Sequence, residues 1–193
     1  LKTTQLSNGN ISYTYDGLNR LSGVSQNDLS SSYTYDNCDN VLTSNSTGFY
    51  YDLEDTFTYY DDDQLHTKHR EIGKFTVENT TYEYDNNGNM TSRIQQICRG
   101  FNPCINPLDT YTTTYVYDEL NRQTTVNGPG GNTITCQFNA AGALSQINYP
   151  DNTSCVFTRD SEGKVTNVIN TSPIQFPPTI EYDYTYDNVG NFL

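Results

Sequence analysis

The chain has 193 residues, with 23 Asp and Glu against 10 Lys and Arg, a net charge of -13 and a pI near 4.2. That balance argues against a nucleic-acid or anionic-membrane partner, because phosphate binding needs clustered Lys and Arg, and no stretch approaches the roughly 18 consecutive apolar residues of a membrane span. Only 17% of residues are charged while 13% are aromatic, Tyr above all, which excludes a charge-swollen disordered tail; Tyr and Thr favour strands and Asn, Gly and Ser favour turns, so the expected class is all-β.

From the N-terminus the chain repeats one pattern. Tyr13-Thr14-Tyr15-Asp16, Tyr33-Thr34-Tyr35-Asp36, Tyr82-Glu83-Tyr84-Asp85, Tyr115-Val116-Tyr117-Asp118 and Tyr184-Thr185-Tyr186-Asp187 are five copies of Y-x-Y-D. Phe57-Thr58-Tyr59-Tyr60, Cys136-Gln137-Phe138-Asn139 and Phe157-Thr158-Arg159-Asp160 are degenerate copies in the same frame. Three residues after the Asp slot stand Asn19, Asp39, Asp63, Gly88, Asn121, Gly142, Gly163 and Gly190, the residue types that accept positive φ at least cost. Five after it an apolar residue returns, Leu21, Val41, Leu65, Met90, Leu144, Val165 and Phe192, with Gln123 the exception. Each repeat therefore reads as a strand, a type I turn closed by one left-handed residue with a bulge, and a returning strand. Strand alternation places the two aromatics on one face, so neighbouring repeats line up ladders of Tyr and Phe, each ring burying ~150–250 Å² when fully enclosed. The Asp is expected to lock its turn by accepting backbone N–H groups.

Between repeats the signals are fewer. The longest spacing, from Asp85 to Asp118, contains Cys98 and Cys104 around a turn-rich Arg99-Gly100-Phe101-Asn102-Pro103 and is read as an inserted loop over 95–110. Gly128-Pro129-Gly130-Gly131 reads as a turn. The last repeat stops after a strand and a turn, and Leu1-Lys2-Thr3-Thr4-Gln5 has the look of the missing return, so both ends are expected to fall mid-repeat within a single array over 1–193. Open strand edges invite a further strand.

The stretches "YTYDGLNRL", "YEYDNNGNM", "YVYDELNRQ" and "YTYDNVGNF" resemble the RHS or YD repeat of polymorphic toxins, insecticidal toxin complexes and teneurins. The resemblance implies a long hairpin ribbon that spirals, a structural role, secretion or cell-surface display, and no chemistry in the repeat itself.

Five cysteines fit an extracellular chain. A local disulfide between Cys98 and Cys104 is expected. Cys136 and Cys155 share the parity of the aromatic face, which makes a bridge between neighbouring hairpins plausible, and Cys38 is left over at a turn tip. No C-x-x-C pair supports zinc. The N-x-S/T sequons are Asn45, Asn79 and Asn152, taken first because they lie in polar stretches, then Asn10, Asn170 and Asn89. Asp61, Asp62 and Asp63, near Asp52, Glu54 and Asp55, are a calcium candidate without the spacing of a calcium loop. His66 and His69 belong to no zinc helix. No cofactor and no catalytic constellation is expected, and a hydrolase finds no carboxylate pair singled out by spacing.

The leading expectation is a non-catalytic, extracellular fibre subunit or array segment that assembles with itself head to tail. The alternative is a carbohydrate- or cell-surface-recognition module with exposed tyrosines, such as Tyr50 or Tyr51, stacking on sugars.

Overall fold

The computed structural model describes residues 2–6, 9–48, 51–73, 75–98, 109–174, 177–187 and 189–192. Sixteen strands form a sheet whose order is the order of the chain, with antiparallel neighbours. They are β1 (Lys2–Leu6), β2 (Gly9–Tyr15), β3 (Leu21–Gln26), β4 (Leu29–Tyr35), β5 (Val41–Thr47), β6 (Asp52–Tyr59), β7 (Leu65–Ile72), β8 (Phe75–Tyr84), β9 (Met90–Ile97), β10 (Asp109–Tyr117), β11 (Gln123–Asn127), β12 (Thr133–Phe138), β13 (Leu144–Asn148), β14 (Ser154–Arg159), β15 (Val165–Thr171) and β16 (Thr179–Asp183). The expected hairpin array is therefore present, one hairpin per repeat. It divides into two compact units, Leu1–Thr112 and Thr113–Leu193, with the boundary inside β10.

All eight residues three after the slot have positive φ, from 59° at Asn121 to 88° at Gly190. In every turn the slot residue donates its N–H to the carbonyl four residues on, as Asp16 N does to Arg20 O (2.9 Å), and in all but the second the third residue's N–H returns to the slot carbonyl, as Asn19 N does to Asp16 O (3.1 Å). A bulge follows the turn. Tyr15 opposes Leu21 while Thr14 opposes Gly23, so Ser22 is stepped over, and the same step recurs at Leu42, His66, Thr91, Thr124, Ser145 and Thr166. Most of these residues carry a hydroxyl, and it bonds back across the hairpin: Thr124 and Ser145 donate to the carbonyls of Val116 and Gln137 at 3.2 and 3.1 Å. That contact gives the extra residue a partner which the ladder denies it.

The second slot residue of each Y-x-Y triplet is exposed while the aromatics flanking it are mostly half-buried, as one-face placement requires. The enclosed aromatic core that the repeat leads one to expect is absent, however. Among the described residues no hydrophobic side chain is fully buried; the buried ones are Asp55 (7% exposed), Thr80 (2%), Ser92, Thr113 and Ser172. Large side chains shelter against their neighbours in the sheet without being enclosed.

Three further expectations change. β9 runs to Ile97 and β10 starts at Asp109, so the insertion is shorter than 95–110, with 99–108 outside the described residues. Asn45 and Asn79 lie inside β5 and β8, half-buried, rather than in intervals between elements. Cys136 and Cys155 are free thiols. Their shared face is as expected, but Ile147 of β13 stands directly between them, opposite both. Two strand spacings, ~9–10 Å, exceed the ~7 Å limit on the Cα separation of a disulfide.

Candidate functional site

The turn edge carries the most regular side-chain chemistry. In each complete turn one carboxylate oxygen accepts two backbone N–H groups: Asp16 Oδ1 from Leu18 and Arg20 (both 2.9 Å), Asp118 Oδ1 from Leu120 (2.9 Å) and Arg122 (3.0 Å). Except at Asp160, where Lys164 donates to Glu162 Oε2 instead (2.7 Å), the other oxygen accepts from the side chain four residues on, Arg20 Nε at 2.7 Å, Arg122 Nε at 2.8 Å, or the Asn amide of Asn40, Asn89 and Asn191 at 3.0 Å. The expected Asx lock is thus doubled, and the Arg or Asn at the fourth position is its second half. These donors hold the carboxyls of Asp85, Asp118 and Asp187 below the usual range, the side chains of Asn89, Arg122 and Asn191 most strongly.

The same fourth residue reaches the next repeat. The Arg20 guanidinium lies 4.7 Å from the Tyr35 ring centroid and donates to Asp36 O and Asp39 Oδ1, both at 2.7 Å. Arg122 covers Phe138 at 4.3 Å and Lys164 covers Tyr186 at 5.6 Å. In return the tyrosine hydroxyl donates to a carbonyl of the preceding repeat: Tyr35 to Leu21 O (2.7 Å), Tyr59 to Val41 O (2.9 Å) and Tyr186 to Val165 O (2.9 Å). Where Arg159 replaces the tyrosine, its guanidinium approaches the equivalent carbonyl, Leu144 O, at 3.5 Å. Neighbouring turns are therefore stapled by cation over ring and hydroxyl to carbonyl, rather than by ring on ring alone.

The degenerate third turn, with Tyr60 in the slot, solves the missing carboxylate differently. Tyr60 stacks on His66 at 4.3 Å and meets Tyr84 edge-on at 6.1 Å, and its hydroxyl donates to Tyr82 O at 3.1 Å. Asp62 Oδ1 accepts from Gln64 N (3.3 Å) and Asp63 Oδ1 from the Asn40 amide (2.8 Å). Asp62 and Asp63 are thus drawn to different donors along the turn that also carries Asp61. No group of three or more potential metal ligands converges among the described residues, so this calcium candidate is not supported.

A second cluster lies mid-sheet in the first unit. Register places Tyr33, Ser44, Asp55, Arg70 and Glu78 in one row across β4 to β8. Arg70 donates to both oxygens of Asp55, at 2.6 and 2.8 Å. Glu78 accepts from Lys68 Nζ (3.3 Å), the Gln95 amide (2.9 Å) and the Thr80 hydroxyl (3.1 Å). On the opposite face His69 bonds Asn79 Oδ1 and, at 3.1 Å, Glu71 Oε1, and these contacts, Asn79 first, raise its pKa. This cluster went unread in the sequence because only the register brings its members together.

The glycosylation candidates separate by exposure. Asn152 sits on an exposed turn with φ 63°, and Asn10 and Asn170 are exposed on strands. Asn45 and Asn79 are half-buried, and the amide nitrogen of Asn89 donates to Asp85. Cys98 is disulfide-bonded; Cys104, its expected partner, lies outside the described residues, as does Tyr50. Cys38 is an exposed free thiol.

A groove of about 390 Å³ opens beside the turns between β3 and β4 and between β5 and β6, lined by Val24, Gln26, Leu29, Ser46, Tyr51 and Leu53 among others.

No protein-family model and no curated protein matches the chain. Solved structures align with most of it at low similarity. The crystal structure of TcdB2-TccC3-TEV does so at 14% identity and TM-score 0.40, covering 95% of this chain and 12% of that one. A Photorhabdus luminescens Tc holotoxin pore gives 12% identity and TM-score 0.40, covering 94% and 12%. A porin-like protein from Bacteroides uniformis gives 12% identity and TM-score 0.46, covering 92% and 90%. This chain spans about 12% of the length of the two toxin chains. The likeness is one of loose fold and goes no further.

Proposed function

We propose that the protein is a non-catalytic structural module of an extracellular YD-repeat assembly, whose sheet extends by adding further hairpins of the same kind, head to tail. The observation that carries this reading is the staple between turns. Where the full staple forms, between Arg20 and Tyr35 and between Lys164 and Tyr186, one repeat presents a cation and a carbonyl to the aromatic residue of the next, a relation that is directional and indifferent to length. Backbone pairing supplies affinity and the staple fixes register. The turn carboxylates are occupied by backbone donors, which supports a scaffold rather than acid–base chemistry. A disulfide at Cys98 and the exposed sequon at Asn152 suit secretion with covalent glycans. Electron microscopy of native material, paired with intact mass under reducing conditions, tests the proposal. Filaments or long ribbons are the expected result, their covalent mass deciding between separate subunits and one longer chain; isolated particles at micromolar concentration overturn it.

A second reading, recognition of carbohydrate on a surface, is favoured by Tyr51, which is 70% exposed beside the groove.

A further inference from the structure

We infer that the groove at Tyr51 is a site for a neutral, extended oligosaccharide; this rests on the recognition reading. Register sets its floor: Val24 opposes Ser31, Ser31 opposes Ser46, and Ser46 opposes Leu53, while Gln26 opposes Leu29, so all lie on one face across β3 to β6. The Ser31 and Ser46 hydroxyls bond one another at 3.1 Å. Leu29 is 45% exposed and Tyr51 70%, both beside that floor. A volume of about 390 Å³ lies in the range of small-molecule clefts.

The lining decides the chemistry of the occupant. Among the described residues no Asp, Glu, Lys, Arg or His lines the groove, although the chain carries 33 charged side chains excluding His, 23 acidic and 10 basic. A cation finds no carboxylate there, and an anion finds no base within a chain of net charge -13. An apolar floor beside hydroxyls and one amide, with a phenol ring standing free, suits a ligand having an apolar face and a polar rim. A pyranose has that build: its axial C–H groups lie against an aromatic ring while its equatorial hydroxyls meet Gln and Ser.

The row continues beyond the groove. Leu53 opposes Ile72 and Ile72 opposes Phe75, whose ring is 50% exposed. Two strand spacings, ~9–10 Å, separate Leu53 from Phe75, so Phe75 stands on the same face beyond the edge of the groove. A chain of sugars crossing the strands would meet Tyr51 and then Phe75, which points to an oligosaccharide rather than a single sugar.

The test uses the full chain on an array of neutral glycans (β-1,4-glucan, chitin and mannan oligomers) with sialylated and sulfated glycans alongside, followed by titration of the strongest neutral binder. Expected are binding to neutral oligomers that strengthens with chain length, about tenfold weaker binding for Tyr51→Ala, a smaller loss for Phe75→Ala, and nearly full binding for Tyr51→Phe, because the ring carries the contact. Both residues are exposed, so circular dichroism of the variants should match the parent. Neutral-glycan binding that survives Tyr51→Ala, or binding to anionic glycans alone, overturns this site while leaving the recognition reading standing. No binding to any glycan overturns both.

Discussion

The row that contains Tyr33 in the first unit runs on through Asp55, Arg70 and Glu78. In the second unit the corresponding row, on the same face relative to the repeat, runs through Cys136, Ile147, Cys155, Asn170 and Ile180, with Phe157, Val168 and Tyr182 beside it. One unit is held mid-sheet by hydrogen-bonded charges, the other by apolar side chains, yet their turns are built alike: four in each, each with a left-handed third residue. The architecture is therefore carried by the turn edge, and the strand faces vary beneath it. Because no hydrophobic side chain among the described residues is fully enclosed, the packing rule that constrains ordinary cores is relaxed.

The largest expected effect comes from breaking the charged row. Arg70→Ala leaves the Asp55 carboxylate, 7% exposed, without its bidentate partner and should cost about 3 kcal/mol in urea denaturation. Ile147→Ala at the corresponding place in the second unit should cost less, about 1–2 kcal/mol, because its site is already half open. Equal losses would erase the distinction between the two units.

Ile147→Cys sharpens it from the other side. The new thiol stands opposite both Cys136 and Cys155, one strand from each, and should form a disulfide with one of them on oxidation, worth about 2 kcal/mol. Thiol titration of unfolded protein before and after oxidation reads the outcome; an unchanged count means the register across β12 to β14 is different.

Tyr59→Phe in the first unit and Tyr186→Phe in the second each remove one hydroxyl-to-carbonyl staple and should cost about 1 kcal/mol apiece. Matching losses support a turn edge that is equivalent in both units.

The smallest effect is in pH. Asp85, Asp118 and Asp187 have depressed folded pKa values, so their contribution is present above the ordinary carboxyl range and disappears as pH falls through the depressed values, in both units together. The folded pKa of His69 is raised, so its contribution is full below the ordinary imidazole value and disappears as pH rises through the raised one. Only the first unit should loosen in that second window. Hydrogen exchange resolved by peptide distinguishes the two, and loosening of β14 and β15 in the same window would contradict the assignment to His69.

What could be read in advance follows the range of the interactions. Turn conformation depends on a few consecutive residues, so Asn19, Asp39 and Gly163 announce their left-handed backbone locally. The bulge at Ser22 and the staple from Arg20 to Tyr35 involve one neighbouring hairpin, and the Arg or Asn in the fourth position was visible although its reach was not. The Asp55, Arg70 and Glu78 row needs exact register over three strands. So does the failure of Cys136 and Cys155 to meet: face parity follows from counting residues, whereas the presence of β13 between them follows only from the order of strands. The groove at Tyr51 depends on two separate connections and has no linear signature.

Pairing of every strand with its neighbours in sequence has a kinetic consequence. Each hairpin closes over a short loop, so the entropy lost before the first contacts form is small and contact order is low. Folding can nucleate at any turn and spread in both directions, and unfolding can begin as fraying from an end rather than as a single concerted event. A whole repeat can then be gained or lost by duplication or deletion while the pairing of the remaining hairpins is kept, so array length becomes a quantity that evolution can change in steps of one hairpin.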